Sequence, residues 1–176
     1  MTVFRPADPN ETAAAWFYAV TNKTTPTSLV LTRQNLPLYD IDGKVALKGA
    51  YILKDSKNET PDVILMASGS EVELIMGAAD ELAKKGVDAR VVSMPSFELF
   101  EAQSDEYKES VLPKAVRNRV AVEAASTFGW HKYVGLDGEV IGLDHFGASA
   151  PAGTLFKEFG FTVENVVETA LKVVGK

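Results

Sequence analysis

Val63-Ile64-Leu65-Met66-Ala67-Ser68-Gly69-Ser70-Glu71-Val72 reads as a strand, a tight turn and the start of a helix. Its apolar run shows no alternation, as in a central parallel strand covered on both faces. Ser68…Glu71 and Ser70…Glu73 are alternative capping boxes for the helix that follows. Val72, Ile75, Ala79 and Leu82 share one face at helical spacing. Lys84-Lys85-Gly86 supplies a basic last turn and a glycine stop.

The same alternation continues downstream. Ala89-Arg90-Val91-Val92-Ser93-Met94-Pro95 and Arg119-Val120-Ala121-Val122-Glu123 are further strands, and Val140-Ile141-Gly142-Leu143 is a short one. Short helices are expected over residues 97–112 and 129–134. The last helix is capped by Thr162, with Phe161 and Val166 placed as a hydrophobic staple. Val163, Val166, Val167, Ala170, Leu171 and Val174 form its apolar stripe.

Upstream, Val3 and Phe4 are a short apolar edge. Asp8 can cap a helix that has Pro9 in its first position, with Glu11 reaching back to the cap. Ser28-Leu29-Val30-Leu31-Thr32 reads as a buried strand that ends at Arg33. This is the last part of a parallel βαβ layer without other strands to sit against. Residues 37–48 read as a linker, Tyr51-Ile52-Leu53 as a strand and 54–61 as a loop. The expected fold is a three-layer α/β/α sandwich preceded by a βαβ remnant.

Composition narrows the function classes. The chain has 176 residues, a net charge of −6 and no cysteine. The charge disfavours nucleic acid and anionic membranes, but not one small phosphorylated ligand. Disulfides, thiolate metal sites and cysteine nucleophiles are excluded. No apolar run approaches the roughly 18 residues of a membrane span. These features lead us to expect a soluble, cytoplasmic protein.

Several residues are candidates for chemistry. The Gly69-Ser70 turn could bind an anion through outward backbone N–H groups, or be only a helix start. It has neither the Lys of a P-loop nor a dinucleotide fingerprint. His131 and His145 lack a second ligand at metal spacing and read as loop or surface residues. Asp144 could orient the His145 ring, though no serine is placed as partner. Residues 142–153, rich in small side chains, could approach a ligand or pack against a neighbour. Arg33 stands out, because it ends a strand at the carboxyl edge, where open α/β sheets bind ligands. Its fork could grip a phosphate monoester or merely form a surface ion pair.

Several motifs together resemble one family. Arg5-Pro6-Ala7-Asp8, Glu11 and Leu31-Thr32-Arg33-Gln34-Asn35-Leu36-Pro37 resemble the end of the pyrimidine-binding domain of transketolases. Ala67-Ser68-Gly69-Ser70-Glu71-Val72, Ser110-Val111-Leu112-Pro113, Phe146-Gly147-Ala148-Ser149-Ala150-Pro151 and Phe159-Gly160-Phe161-Thr162 resemble the carboxy-terminal domain.

The resemblance implies a division into residues 1–43 (pyrimidine-domain remnant), 44–60 (linker and first strand) and 61–176 (carboxy-terminal domain). It implies a mostly parallel mixed sheet of about five strands, with Tyr51-Ile52-Leu53 as the antiparallel one. The family's homodimers use thiamine diphosphate with Mg²⁺ or Ca²⁺ to move a two-carbon ketol unit between sugar phosphates in the pentose phosphate pathway. By this resemblance no catalytic, cofactor or metal residue lies in the chain, and Arg33 contributes to sugar-phosphate binding. The chain alone is then expected to be inactive and to serve assembly with the remainder of the enzyme. Alternatives are a free-standing assembly or anion-binding module, or the tail of a related thiamine-diphosphate enzyme.

Overall fold

The computed structural model describes residues 1–175. It opens with strand β1 (Thr2–Phe4), helix α1 (Pro9–Thr21) and strand β2 (Thr27–Leu29), with β1 and β2 paired in parallel. A 3-10 helix (Gly43–Lys48) leads to β3 (Tyr51–Lys54). Then follow β4 (Val63–Ala67), α2 (Glu71–Lys84), β5 (Ala89–Ser93), α3 (Phe97–Glu101) and α4 (Asp105–Val111). The chain continues with β6 (Arg119–Val122), a 3-10 turn (Thr127–Gly129) and α5 (His131–Val134). It closes with β7 (Glu139–Ile141), α6 (Ala152–Glu158) and α7 (Val163–Val174).

The main sheet has strand order β3-β5-β4-β6-β7. Only β3 runs antiparallel, as expected for Tyr51-Ile52-Leu53. Strand β4 sits at the centre and is buried throughout, which accounts for its unbroken apolar run. Its side chains alternate between two cores. Val63, Leu65 and Ala67 meet Val72, Ile75 and Leu82 of α2 and Val166 and Ala170 of α7. Ile64 and Met66 face Phe100, Trp130 and Tyr133 on the other side. The architecture is the expected three-layer sandwich. At α7, Thr162 caps the Asn165 N–H at 3.2 Å, and Phe161 and Val166 lie in one core, as the staple requires.

Three expectations change. Strand β2 stops at Leu29 and is half-buried; Val30 and Leu31 are exposed. The Val30 N–H makes its bond to the Phe4 carbonyl at 2.8 Å, but the next residue of that strand leaves the pair. The Arg5 N–H binds the Pro95 carbonyl instead, and the Arg5 carbonyl accepts from Gly69. Strand β2 therefore runs out of partner.

Neither capping box forms at α2. The Ser70 hydroxyl bonds the Glu71 carboxylate, and that of Ser68 bonds Glu123, both at 2.7 Å. The stretch read as a linker is packed. Ala46 is fully buried, and Gly49, at φ +85°, lies where a Cβ would come within 2.1 Å of the Phe100 backbone nitrogen.

Candidate functional site

The carboxyl ends of β4, β5 and β6 meet the incoming residues 5–11, and charged groups collect there. Arg5 runs between the ends of β4 and β5 and turns its guanidinium to Glu71 and Glu123, forming an ion pair with each. Its Nη1 also donates to the Ser68 carbonyl at 3.0 Å and hydroxyl at 3.1 Å. Glu71 is wholly buried and Glu123 nearly so. Burial raises the Glu123 carboxyl above its ordinary pKa despite Arg5, and Glu71 adds repulsion. Burial alone would lower the pKa of Arg5, but Glu123 and Glu71 together hold it above the usual value.

This arrangement decides the Gly69-Ser70 turn. Gly69 has φ +58°, its N–H is taken by the Arg5 carbonyl at 2.9 Å, and the Arg5 side chain lies against its Cα. An anion at this turn would meet Glu71 and Glu123. The turn anchors the amino-terminal segment and is not an anion cradle.

A second buried carboxylate lies at Glu11. Asp8 caps α1, accepting from the Glu11 N–H at 2.7 Å. Glu11 reaches back, but to the Ala7 N–H at 2.6 Å, one residue before the cap. Its other oxygen accepts from Tyr51 at 2.8 Å and from Ser93 on β5. Burial raises its pKa, against the opposing bonds from Ser93, Ala7 and Tyr51. Thus α1 is bolted to β3 and β5.

Arg33 is exposed and lies beyond the end of β2. Its segment runs beside a groove of about 630 Å³ against α1, lined by Asp8, Thr12, Trp16, Thr32 and Asn35. Tyr39 pins that segment, donating its N–H to Asp8 at 3.2 Å and accepting from Asn10 at 3.0 Å.

The histidines are surface residues. His145 stacks its ring edge-on with Phe159. Asp144 does not orient it; its carboxylate binds Ser126 and Thr127 and ties the loops after β6 and β7 together. The small-residue loop following Asp144 is exposed, with Phe146 almost wholly in solvent. Among the described residues no group of three or more His, Asp or Glu side chains could hold a metal ion. No helix among the described residues is long and apolar enough to cross a membrane.

Pattern reasoning missed Glu123 and gave Glu71 only a capping role. Yet Glu123 sits at the end of an apolar strand, the same signal that singled out Arg33.

Comparison with known proteins places this geometry. Residues 49–162 match the family model of the transketolase-like TK C-terminal domain. The transketolase of Bacillus subtilis is 56% identical over 180 residues, covering all of this chain and 27% of that protein. The transketolase from Leishmania mexicana superposes with a TM-score of 0.91 at 44% identity, over 99% of this chain and 25% of that one. That of Pichia stipitis, in complex with sedoheptulose 7-phosphate, gives 0.90 at 46% identity and the same coverage. The chain spans about a quarter of the length of these relatives. It belongs to the transketolase family and carries that family's carboxy-terminal domain.

Proposed function

We propose that this chain works as the carboxy-terminal segment of a transketolase, a thiamine-diphosphate enzyme that transfers ketol units between sugar phosphates. The likeness to transketolases along the whole chain carries this reading. Residues 1–43 then complete the pyrimidine-binding domain, residues 44–60 lead across, and residues 61–176 form the carboxy-terminal domain. The complete enzyme is a cytoplasmic homodimer.

Among the described residues no carboxylate or histidine cluster could ligate the cofactor's Mg²⁺ or Ca²⁺. No step of the reaction is assigned to this chain. Its part is to complete the assembly and to present Arg33, whose exposed guanidinium suits a sugar phosphate arriving from outside.

The test is a ketol-transfer assay with xylulose 5-phosphate, ribose 5-phosphate, thiamine diphosphate and Mg²⁺. The chain alone is expected to be silent and to gain activity with a separately produced upstream portion. Activity of the chain alone would refute its dependence on that portion; silence of the mixture would remove the support for the reading.

A further inference from the structure

Residues 31–38 carry Arg33 and are held at their ends. At one end the Val30 N–H donates to the Phe4 carbonyl at 2.8 Å. At the other, the Tyr39 N–H donates to Asp8 at 3.2 Å, and the Tyr39 carbonyl accepts from the Asn10 amide at 3.0 Å. Between these ends the only hydrogen bond among the described residues is internal, from the Thr32 hydroxyl to the Gln34 carbonyl at 3.1 Å. The stretch is mostly exposed and borders an open groove against α1. A segment without bonds along its length takes its course from its ends, because each residue left unfixed keeps its backbone freedom.

Asp8 governs the second end, and each of its carboxylate oxygens has one task. Oδ1 accepts from the Glu11 N–H at 2.7 Å and caps α1, and Oδ2 accepts from Tyr39. The residue is buried, so solvent does not readily replace an acceptor lost there. Helix α1 is itself fixed through Glu11 to Tyr51 and Ser93. Asp8 thus ties the Arg33 segment to the main sheet.

We propose that Asp8 is a positioning residue for phosphate binding: its Oδ2 holds Tyr39, and Tyr39 fixes the segment that presents Arg33. The proposal rests on the reading of Arg33 as a sugar-phosphate ligand. Asp8 acts through Arg33 and not on the substrate. A binding residue already held in place spares the cost of ordering it when the ligand arrives.

Asp8→Asn separates the two tasks of the side chain. Asparagine caps helices as well as aspartate does, so its amide oxygen keeps the Glu11 bond. Its NH₂ group then faces the Tyr39 N–H, and a donor cannot accept from it. Asn10→Ala removes the other bond at Tyr39 and leaves the cap untouched. In the enzyme assembled from this chain and the upstream portion, each variant is expected to raise the KM for ribose 5-phosphate by about threefold to tenfold. That is less than Arg33→Ala, and kcat and the kinetics toward unphosphorylated ribose should not change. Combined with Arg33→Ala, neither variant is expected to add a further effect. In the chain alone, NMR relaxation should show the amides of residues 33–36 gaining mobility in both variants while those of α1 keep their order. An Arg33→Ala enzyme with unchanged KM would overturn the phosphate reading and this proposal with it. Where Arg33→Ala does raise KM, the role of Asp8 alone is overturned by any of three results in a folded variant: an unchanged KM, equal losses toward ribose and ribose 5-phosphate, or losses that add fully to that of Arg33→Ala. Should Asp8→Asn disturb α1, Asn10→Ala decides by the same measures.

Discussion

Arg5 forms ion pairs with two buried carboxylates, Glu71 and Glu123. Replacing one partner of such a cluster leaves an uncompensated buried charge. Arg5→Met is therefore expected to cost about 3–5 kcal/mol of stability, read from urea denaturation. A cost under about 1 kcal/mol would mean that water takes the place of Arg5 at little expense. Glu11 carries a pH signature. Its carboxyl is raised above the unfolded value by burial, so the native state binds the proton more tightly. Its contribution is fully present below the unfolded pKa and is lost as pH rises through the folded one. As pH rises above the ordinary carboxylate range, Glu11→Gln should flatten the fall of stability with pH. Equal slopes in both proteins would refute this. In the assembled enzyme, Arg33→Ala should raise the KM for phosphorylated sugars by roughly tenfold to a hundredfold, and an unphosphorylated acceptor should not feel the change.

Elements in this chain are set by where their backbone groups find partners. Strand β1 continues through Arg5 into hydrogen bonds with Pro95 and Gly69, and α1 is fastened through Glu11 to Tyr51 and Ser93. Strand β2 has only β1 and is half-buried. Residues 1–15 and 27–40 should therefore separate in hydrogen exchange. The first group should be protected nearly as well as the main sheet, and the second should exchange much faster. Equal protection in both would show that β2 needs no further cover. Gly49 joins the 3-10 helix to β3 in a left-handed conformation, against the backbone of α3. Its replacement by Ala should cost more than about 4 kcal/mol or prevent folding; a soluble variant with an unchanged unfolding midpoint would contradict that packing.

At the scale of the molecule, the main sheet is covered on both faces, whereas the β1-β2 pair is not. Trp16, Phe17 and Val20 of α1, with Val30 and Leu31 beyond β2, remain exposed. An apolar face of this kind favours association. The chain alone should self-associate in sedimentation, and Trp16→Glu with Phe17→Glu should reduce this while changing stability by about 0.5 kcal/mol or less. A monomeric parent chain would remove the reason for the change.

The sequence alone determined the three layers, the central strand Val63–Ala67 and the capped helix α7. These depend on periodicity and local capping, which neighbouring residues express among themselves. The antiparallel sense of Tyr51–Lys54 was legible only through family resemblance. Arg33 was expected at the end of a buried strand, but its exposure beyond a shortened β2 was not legible, because strand length depends on a partner remote in sequence. Ser68, Ser70 and Glu71 look like a capping box along the chain. Tertiary structure turned Glu71 toward Arg5, Ser68 toward Glu123 and Ser70 onto Glu71 itself, since a buried charge takes the nearest opposite charge in space, whatever its distance in sequence. A cavity at the ends of β4, β5 and β6 likewise exists only once Arg5, Met94, Glu123 and Trp130 have been brought together from four separate stretches.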